Sequence, residues 1–122
     1  MSSIYQREII EHSKNPHNQG ILENPSQEAY DVNTLCGDGI RLYINTKEDK
    51  IIDIKFEGNG CAISQASASM LTDELRGMSI NEAKNINKEF ILELMGLEAL
   101  NPSRLRCALL SLETLRKALV NV

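Results

Sequence analysis

Two neighbouring runs of alternating apolar and polar residues constrain the fold most. The runs GIRLYINT and IIDIKFEG have the period of two that is typical of half-buried strands. Their alternating apolar positions are Ile40, Leu42 and Ile44 in the first run and Ile52, Ile54 and Phe56 in the second. The polar turn KEDK joins them, and a shorter run from Tyr30 to Leu35 precedes them, so we predict a three-stranded antiparallel meander.

The rest of the chain reads mainly as helices. Ser79 and Glu82 form a capping-box pattern, Gly77 and Gly96 are typical C-terminal caps, and Asn101 followed by Pro is a helix start. The predicted helices are 3–14, 62–76, one that opens after Ser79, 88–96, and one from Asn101 to the C-terminus. The pattern predicts an α+β fold in which a three-stranded antiparallel sheet packs against about five helices. The 122 residues fit a single domain, 1–122.

Charge and hydropathy exclude several classes of protein. The net charge is −4 and the pI is about 5.2, which argues against a nucleic-acid or acidic-membrane partner, because those partners need a basic surface. No apolar run approaches the roughly 20 residues of a membrane span. The first 15 residues carry charges throughout and lack the apolar centre of a signal peptide. We therefore expect a cytoplasmic protein whose thiols stay reduced.

The three cysteines stand at the ends of predicted elements. Cys36 lies in the turn between the first two strands, Cys61 opens a helix, and Cys107 lies in the second turn of the last helix. A helix N-terminus favours thiolate over thiol, and Gly37 allows Asp38 to face the same point as Cys36. Three thiolates and a carboxylate suit tetrahedral zinc or an iron–sulfur cluster.

Spacing leaves an alternative open. The cysteines are 25 and 46 residues apart and form no C-x-x-C pair. A lone cysteine in a small protein is more often a buried packing residue, and Cys107 beside a leucine face fits that interpretation. Cys36 and Cys61 fit it poorly, because glycine-rich turns give them little to pack against.

Four segments resemble one known family. GNGCAISQASASMLTDELRG resembles the central motif of the SufU-type members of the IscU/NifU N-terminal family. HSKNPHNQG is similar to that family's N-terminal segment, CGDGIRLYI to its first cysteine loop, and SRLRCALLSLETLRKAL to its last-cysteine helix. The segments follow the expected order and span nearly the whole chain.

The resemblance implies a SufE/NifU-like fold and a role in iron–sulfur cluster assembly. It implies that Cys36, Asp38, Cys61 and Cys107 converge at one exposed end and hold zinc or a transient [2Fe–2S] cluster. The implied partners are a pyridoxal-phosphate cysteine desulfurase of the SufS/IscS-like type, which donates persulfide sulfur, and downstream assembly or acceptor proteins. The chain would be at most a zinc-dependent sulfurtransferase.

Two departures from the IscU-type pattern bear on mechanism. Arg106 stands where IscU-type scaffolds have histidine, and LNPSRLRC replaces the chaperone-docking motif. Arg104 matches the arginine of SufU-type proteins and is an expected catalytic residue. However, the interval before the last cysteine helix is too short for the SufU-type insertion. The chain is SufU-like in motif and IscU-like in length.

Several functions therefore remain in competition. In the leading hypothesis, zinc is bound stably and Cys36, beside Gly37 in a turn, accepts the sulfur. In the alternative, the same residues form a scaffold on which a [2Fe–2S] cluster is built and transferred. A structural zinc module and a cysteine hydrolase are other classes, and the hydrolase would need a paired histidine. We expect His12 to be structural and His17 to be a solvated loop residue.

Overall fold

The computed structural model describes residues 3–34, 37–97 and 101–122. It has the predicted α+β architecture. In chain order, its elements are α1 Ser3–Lys14, β1 Gln27–Asn33, β2 Asp38–Lys47, β3 Lys50–Asn59, α2 Ala62–Leu75, α3 Ile80–Lys84, α4 Lys88–Met95 and α5 Pro102–Leu119. The helix starts follow the predicted caps, since Ser79 and Glu82 form a full capping box and the Asn101 side chain accepts from the Arg104 N–H. The single-domain boundary 1–122 stays a prediction.

The sheet is an antiparallel meander in the order β1-β2-β3. Glu48 and Asp49 both have positive φ, which the tight turn between β2 and β3 requires. The first strand starts earlier than predicted, at Gln27 rather than Tyr30, because backbone pairing with β2 extends to Gln27 despite its polar side chain. The predicted end at Leu35 lies outside the described residues.

The prediction of the buried face of β3 is wrong for one residue. Ile52 is 55% exposed, whereas its neighbour Ile51 is fully buried. The register of β2 and β3 shifts between Asn45 and Thr46, which marks a bulge or irregularity in the ladder. An extra residue on one strand reverses the side-chain alternation beyond it, so Ile51 takes the inward position that the simple period assigns to Ile52.

The core lies between one face of the sheet and the helices α2 and α5. Ile40, Leu42 and Phe56 of the sheet are fully buried, as is Leu71 of α2. The two helices come close because small residues line their contact. The Ser67 hydroxyl donates to the Ala108 carbonyl at 2.6 Å and lies 3.0 Å from the Ser111 hydroxyl. The Ala/Ser stripe of α2 therefore serves close packing, and it fixes Cys61 on α2 relative to Cys107 on α5.

Among the described helices, none combines the length and the apolar character that a bilayer crossing requires.

Candidate metal centre

Three of the four predicted ligands come together at one end of the sheet. Asp38 is the first residue of β2, Cys61 is the N-cap of α2, and Cys107 lies in α5. One carboxylate oxygen and the two sulfur atoms lie within 4.8 Å of one another. We call these three residues the cysteine cluster. Cys36, the fourth predicted ligand and predicted sulfur acceptor, lies outside the described residues.

The cysteine cluster is built around the buried carboxylate of Asp38, which is 3% exposed. Asp38 Oδ1 accepts from the Cys61 backbone N–H at 3.2 Å, and Oδ2 lies 3.5 Å from Cys61 Sγ. The Cys61 carbonyl in turn accepts from the Ser64 hydroxyl at 3.1 Å, which helps to fix the first turn of α2. Negative charge on the carboxylate and on a thiolate is favourable here, because the N-terminal end of α2 carries partial positive charge.

The distance between the Cys61 sulfur and the Asp38 carboxylate fits zinc. With Zn–S about 2.3 Å and Zn–O about 2.0 Å, a tetrahedral ion separates a sulfur from an oxygen ligand by about 3.5 Å. That separation matches the one between Cys61 Sγ and Asp38 Oδ2. Two thiols and one carboxylate form a donor set that zinc accepts, with a further position left for another ligand.

Gly60 brings the backbone next to the carboxylate. A Cβ at this position would lie 2.5 Å from Asp38 Cγ and 2.7 Å from the Ser64 hydroxyl, and φ is +151°. Real Cβ atoms do not approach other heavy atoms this closely, so only glycine fits without movement of Asp38. Gly60, the second glycine of the Gly-Asn-Gly break, is thus required by the cysteine cluster as well as by the turn.

An open cavity of about 610 Å³ adjoins the two cysteines. Arg104 lines it from α5, one turn before Cys107, so residues i and i+3 share one face of the helix. Arg106, the residue that replaces the histidine of IscU-type scaffolds, lines a different cavity between β1 and α5 with Asp31 and Glu113. Of the two arginines, only Arg104 is among the described residues that line a cavity together with the two cysteines.

Sequence reasoning missed two residues of this region. Asn33 is buried, pairs with Asp38 at the end of the β1–β2 ladder and lines the 610 Å³ cavity. Ser64 is fully buried, and its hydroxyl lies 3.9 Å from Cys61 Sγ. The signal for Ser64 was its position three residues after a helix-capping cysteine. Asn33 had only its place at the end of a strand before the cysteine loop.

Comparison with known families gives a match over nearly the whole chain. Residues 4–122 match the model of the NifU-like N-terminal domain. The chain belongs to this family. The match spans α1 through α5 and includes every residue of the cysteine cluster, so the resemblance stated from sequence motifs is confirmed.

Curated relatives of two kinds align with the chain. The zinc-dependent sulfurtransferase SufU of Bacillus subtilis strain 168 is 38% identical over 133 residues, covering 96% of this chain and 90% of the relative. The iron–sulfur cluster assembly scaffold protein IscU 1 of Archaeoglobus fulgidus is 34% identical over 118 residues, covering 97% and 76%. The SufU alignment is longer than this 122-residue chain, so SufU contains residues that have no counterpart here. The IscU alignment is shorter than the chain.

Solved structures agree with the architecture. A crystal structure described as a candidate assembly scaffold protein for the SUF system from Fervidobacterium islandicum AW-1 has a TM-score of 0.80 and 34% identity, covering 95% of this chain and 96% of that one. The N-terminal part of a NifU-like protein from Brucella abortus has a TM-score of 0.78 at 21% identity, covering 96% and 92%. The second likeness shows the fold alone.

Proposed function

We propose that this chain is a zinc-binding iron–sulfur cluster assembly protein that takes persulfide sulfur from a cysteine desulfurase. The observation that carries the proposal is the cysteine cluster, whose sulfur-to-carboxylate distance of 3.5 Å suits a tetrahedral ion at the edge of an open cavity. Asp38, Cys61 and Cys107 would hold the zinc together with Cys36. Similarity to a zinc-dependent sulfurtransferase and to cluster scaffolds supports this function.

When bound, zinc keeps its cysteine ligands deprotonated and restrains their reactivity. The chain's own contribution is an asymmetric ligand set. Asp38 offers a harder and more exchangeable ligand than a thiolate, so its position is the one that opens. Cys61 at the N-terminus of α2 and Cys107 within α5 are held by packed helices and suit a permanent role.

The transfer step conserves oxidation state overall. In the proposal, the Cys36 thiolate attacks the outer sulfur of the desulfurase persulfide and forms a new S–S bond. The original S–S bond breaks, and its electron pair stays on the desulfurase cysteine as a thiolate. The proton of the persulfide remains on the transferred sulfur. Because one S–S bond forms and one breaks, no oxidant is needed.

Arg104 would stabilise the negative charges that this step exposes. It lines the same cavity as Cys61 and Cys107. When a ligand leaves the metal, the guanidinium can pair with the freed carboxylate of Asp38 or with a thiolate by a charge-assisted contact. Its partner in the resting state would then differ from its partner during transfer.

The test of the sulfur acceptor is direct. The zinc-loaded protein is incubated with a SufS/IscS-like desulfurase, pyridoxal phosphate and cysteine, and the added sulfur is mapped by peptide mass spectrometry. Persulfide is expected on Cys36, and Cys36→Ser should abolish stimulation of the desulfurase. Persulfide found mainly on Cys61 or Cys107, or full stimulation by Cys36→Ser, would show that another cysteine accepts the sulfur.

A [2Fe–2S] scaffold is the second function that an observation favours. The cavity of about 610 Å³ beside Cys61 and Cys107 has room for more than a single ion, and the 118-residue alignment with an IscU scaffold covers 97% of the chain. Metal analysis and a visible spectrum of protein purified without oxygen separate the two. One zinc and no visible absorption support the sulfur acceptor, whereas iron, sulfide and a cluster spectrum support the scaffold.

A cytoplasmic location stays a prediction.

A further inference from the structure

A second group of metal-binding side chains lies away from the cysteine cluster. Atoms of His12, His17 and Asp73 that can bind a metal all lie within 4.8 Å of one another. His12 is near the end of α1, His17 follows in the connecting loop, and Asp73 is near the end of α2. We call these three residues the histidine cluster. His12, for which we expect a structural role, is buried, and His17, expected to be a solvated loop residue, is exposed but has its Nδ1 2.7 Å from Asp73 Oδ2.

Surrounding polar groups hold the side chains of His12 and Asp73 and the backbone of His17. The His12 ring is hydrogen-bonded through Nδ1 to the buried hydroxyl of Ser69 at 2.6 Å, which leaves Nε2 for another partner. The same hydroxyl accepts from the His17 backbone N–H at 2.7 Å. The Asn18 amide donates to Asp73 Oδ1 at 2.8 Å and leaves Oδ2 directed at His17. Such outer partners orient the ligands in known metal sites.

The surroundings of the histidine cluster are acidic. A cavity of about 280 Å³ is lined by His12 and Asp73 together with the carboxylates of Glu8 and Glu74, and no lysine or arginine is among its described lining residues. Glu8 Oε2 lies 3.6 Å from His12 Nε2 and offers a further oxygen ligand. The nearby Arg76 is engaged by Asn18 and Asp53. The local charge therefore favours a cation in this cavity.

We propose that the histidine cluster binds a divalent first-row transition-metal ion. Two imidazoles and one carboxylate are a donor set that suits zinc, iron(II) and cobalt(II). For Nδ1 of His17 to bind the ion, the proton that it directs at Asp73 would move to Nε2 of the same ring, so the imidazole would stay neutral. Neighbouring ligands of an octahedral ion at about 2.1 Å are about 3.0 Å apart, so the His17–Asp73 pair needs to open only slightly.

This site is separate from the cysteine cluster and does not depend on its function. Asp73 follows Cys61 by 12 residues in α2, which corresponds to roughly 18 Å along the helix axis at about 1.5 Å per residue. The two sites also differ in donor chemistry, because the second contains no sulfur. Cobalt(II) can therefore report on them separately, since only a thiolate-bound ion gives intense sulfur-to-cobalt charge-transfer absorption.

The experiment is a titration of the metal-free full chain with Co²⁺, followed by visible and near-ultraviolet absorption and by calorimetry. Two equivalents are expected, one with charge-transfer absorption and one with only weak d–d bands. His17→Gln and Asp73→Asn should each weaken the second equivalent by at least about tenfold and leave the first unchanged. Both side chains are exposed, so both variants should fold, which thermal melting checks.

Glu11→Gln is the matched control. Glu11 is an exposed carboxylate on α1 that accepts from Asn15 and does not belong to the histidine cluster, so this variant should keep both equivalents. Failure of the wild type to bind a second equivalent would overturn the proposal. So would a second equivalent that both His17→Gln and Asp73→Asn leave unchanged. If the wild type binds the cobalt with weak d–d bands but shows no charge-transfer absorption, the histidine cluster is supported and metal binding by the cysteine cluster is not.

Discussion

The cysteine cluster and the histidine cluster lie near opposite ends of α2, which carry opposite partial charges. Cys61 caps the N-terminus, where exposed N–H groups favour anionic ligands, and its own N–H contacts Asp38. Asp73 lies in the last turn, where the carbonyl end favours a bound cation. One helix therefore supports soft anionic donors at one end and a harder, imidazole-based cation site at the other.

Their burial also differs, and this difference predicts how each responds to mutation. The cysteine cluster joins the sheet to α2 and α5 through a carboxylate that is 3% exposed. The histidine cluster joins α1 to α2, and two of its three members, His17 and Asp73, are exposed. Changes in the cysteine cluster should weaken binding of the thiolate-bound ion and leave the histidine cluster unaffected, whereas exposed changes in the histidine cluster should weaken binding of the second ion alone.

The largest effect is expected from Cys61→Ser. If four ligands share the roughly 10–16 kcal/mol of a structural zinc site, the loss of one thiolate costs about 3 kcal/mol, or on the order of 100-fold in affinity. Competition with a chromophoric chelator measures this. Affinity at the histidine cluster should not change. Zinc binding at wild-type strength in Cys61→Ser would mean that Cys61 is not a ligand.

Gly60→Ala tests the close approach of the backbone to Asp38. A Cβ there would meet Asp38 and Ser64, whereas one at Gly77, which also has positive φ, would meet nothing within 4 Å. Gly77→Ala therefore reports backbone strain alone, at about 1 kcal/mol. Gly60→Ala should cost about 2 kcal/mol more, because the carboxylate must move. Urea unfolding measures both, and equal losses would refute a specific role for Gly60.

Ser69→Ala tests the support of the histidine cluster. The hydroxyl contacts both the His12 ring and the His17 backbone N–H, and removing it leaves two polar groups without this partner. We expect a loss of about 2 kcal/mol in the free energy of unfolding and weaker binding of the second cobalt. The first, thiolate-bound cobalt should be unaffected. Weakening of both ions to the same extent would show that the two clusters are coupled through α2.

Asp38→Ala should have the smallest effect on stability in this series. The lost hydrogen bond to the Cys61 N–H costs about 1 kcal/mol, and zinc affinity should fall less than in Cys61→Ser, by about tenfold. Sulfur transfer from the desulfurase should slow, because the site has lost the exchangeable ligand whose release opens a position on the metal. Calorimetric melting and the desulfurase assay measure the two effects. Joint loss of zinc and of the cooperative melt would make Asp38 a structural residue.

Most of the fold could be predicted from local patterns. Caps at Ser79 and Asn101 act over three or four residues, and the apolar period of β2 is visible within eight. The errors arose where pairing between strands decided the outcome. Ile52 faces outward because of the register shift opposite Asn45 and Thr46, and Gln27 joins β1 because β2 offers it a partner.

The candidate sites divide in the same way. The helix N-termini beside Cys61 and Cys107 are local features, and by itself the sequence determined them, together with the family to which the chain belongs. The meeting of Asp38, Cys61 and Cys107, and the contact between His17 and Asp73 across 56 residues, were decided by the packing of α1, α2 and α5 on one sheet. Local patterns reflect short-range hydrogen bonding and burial, whereas these meetings depend on which distant surfaces exclude water together.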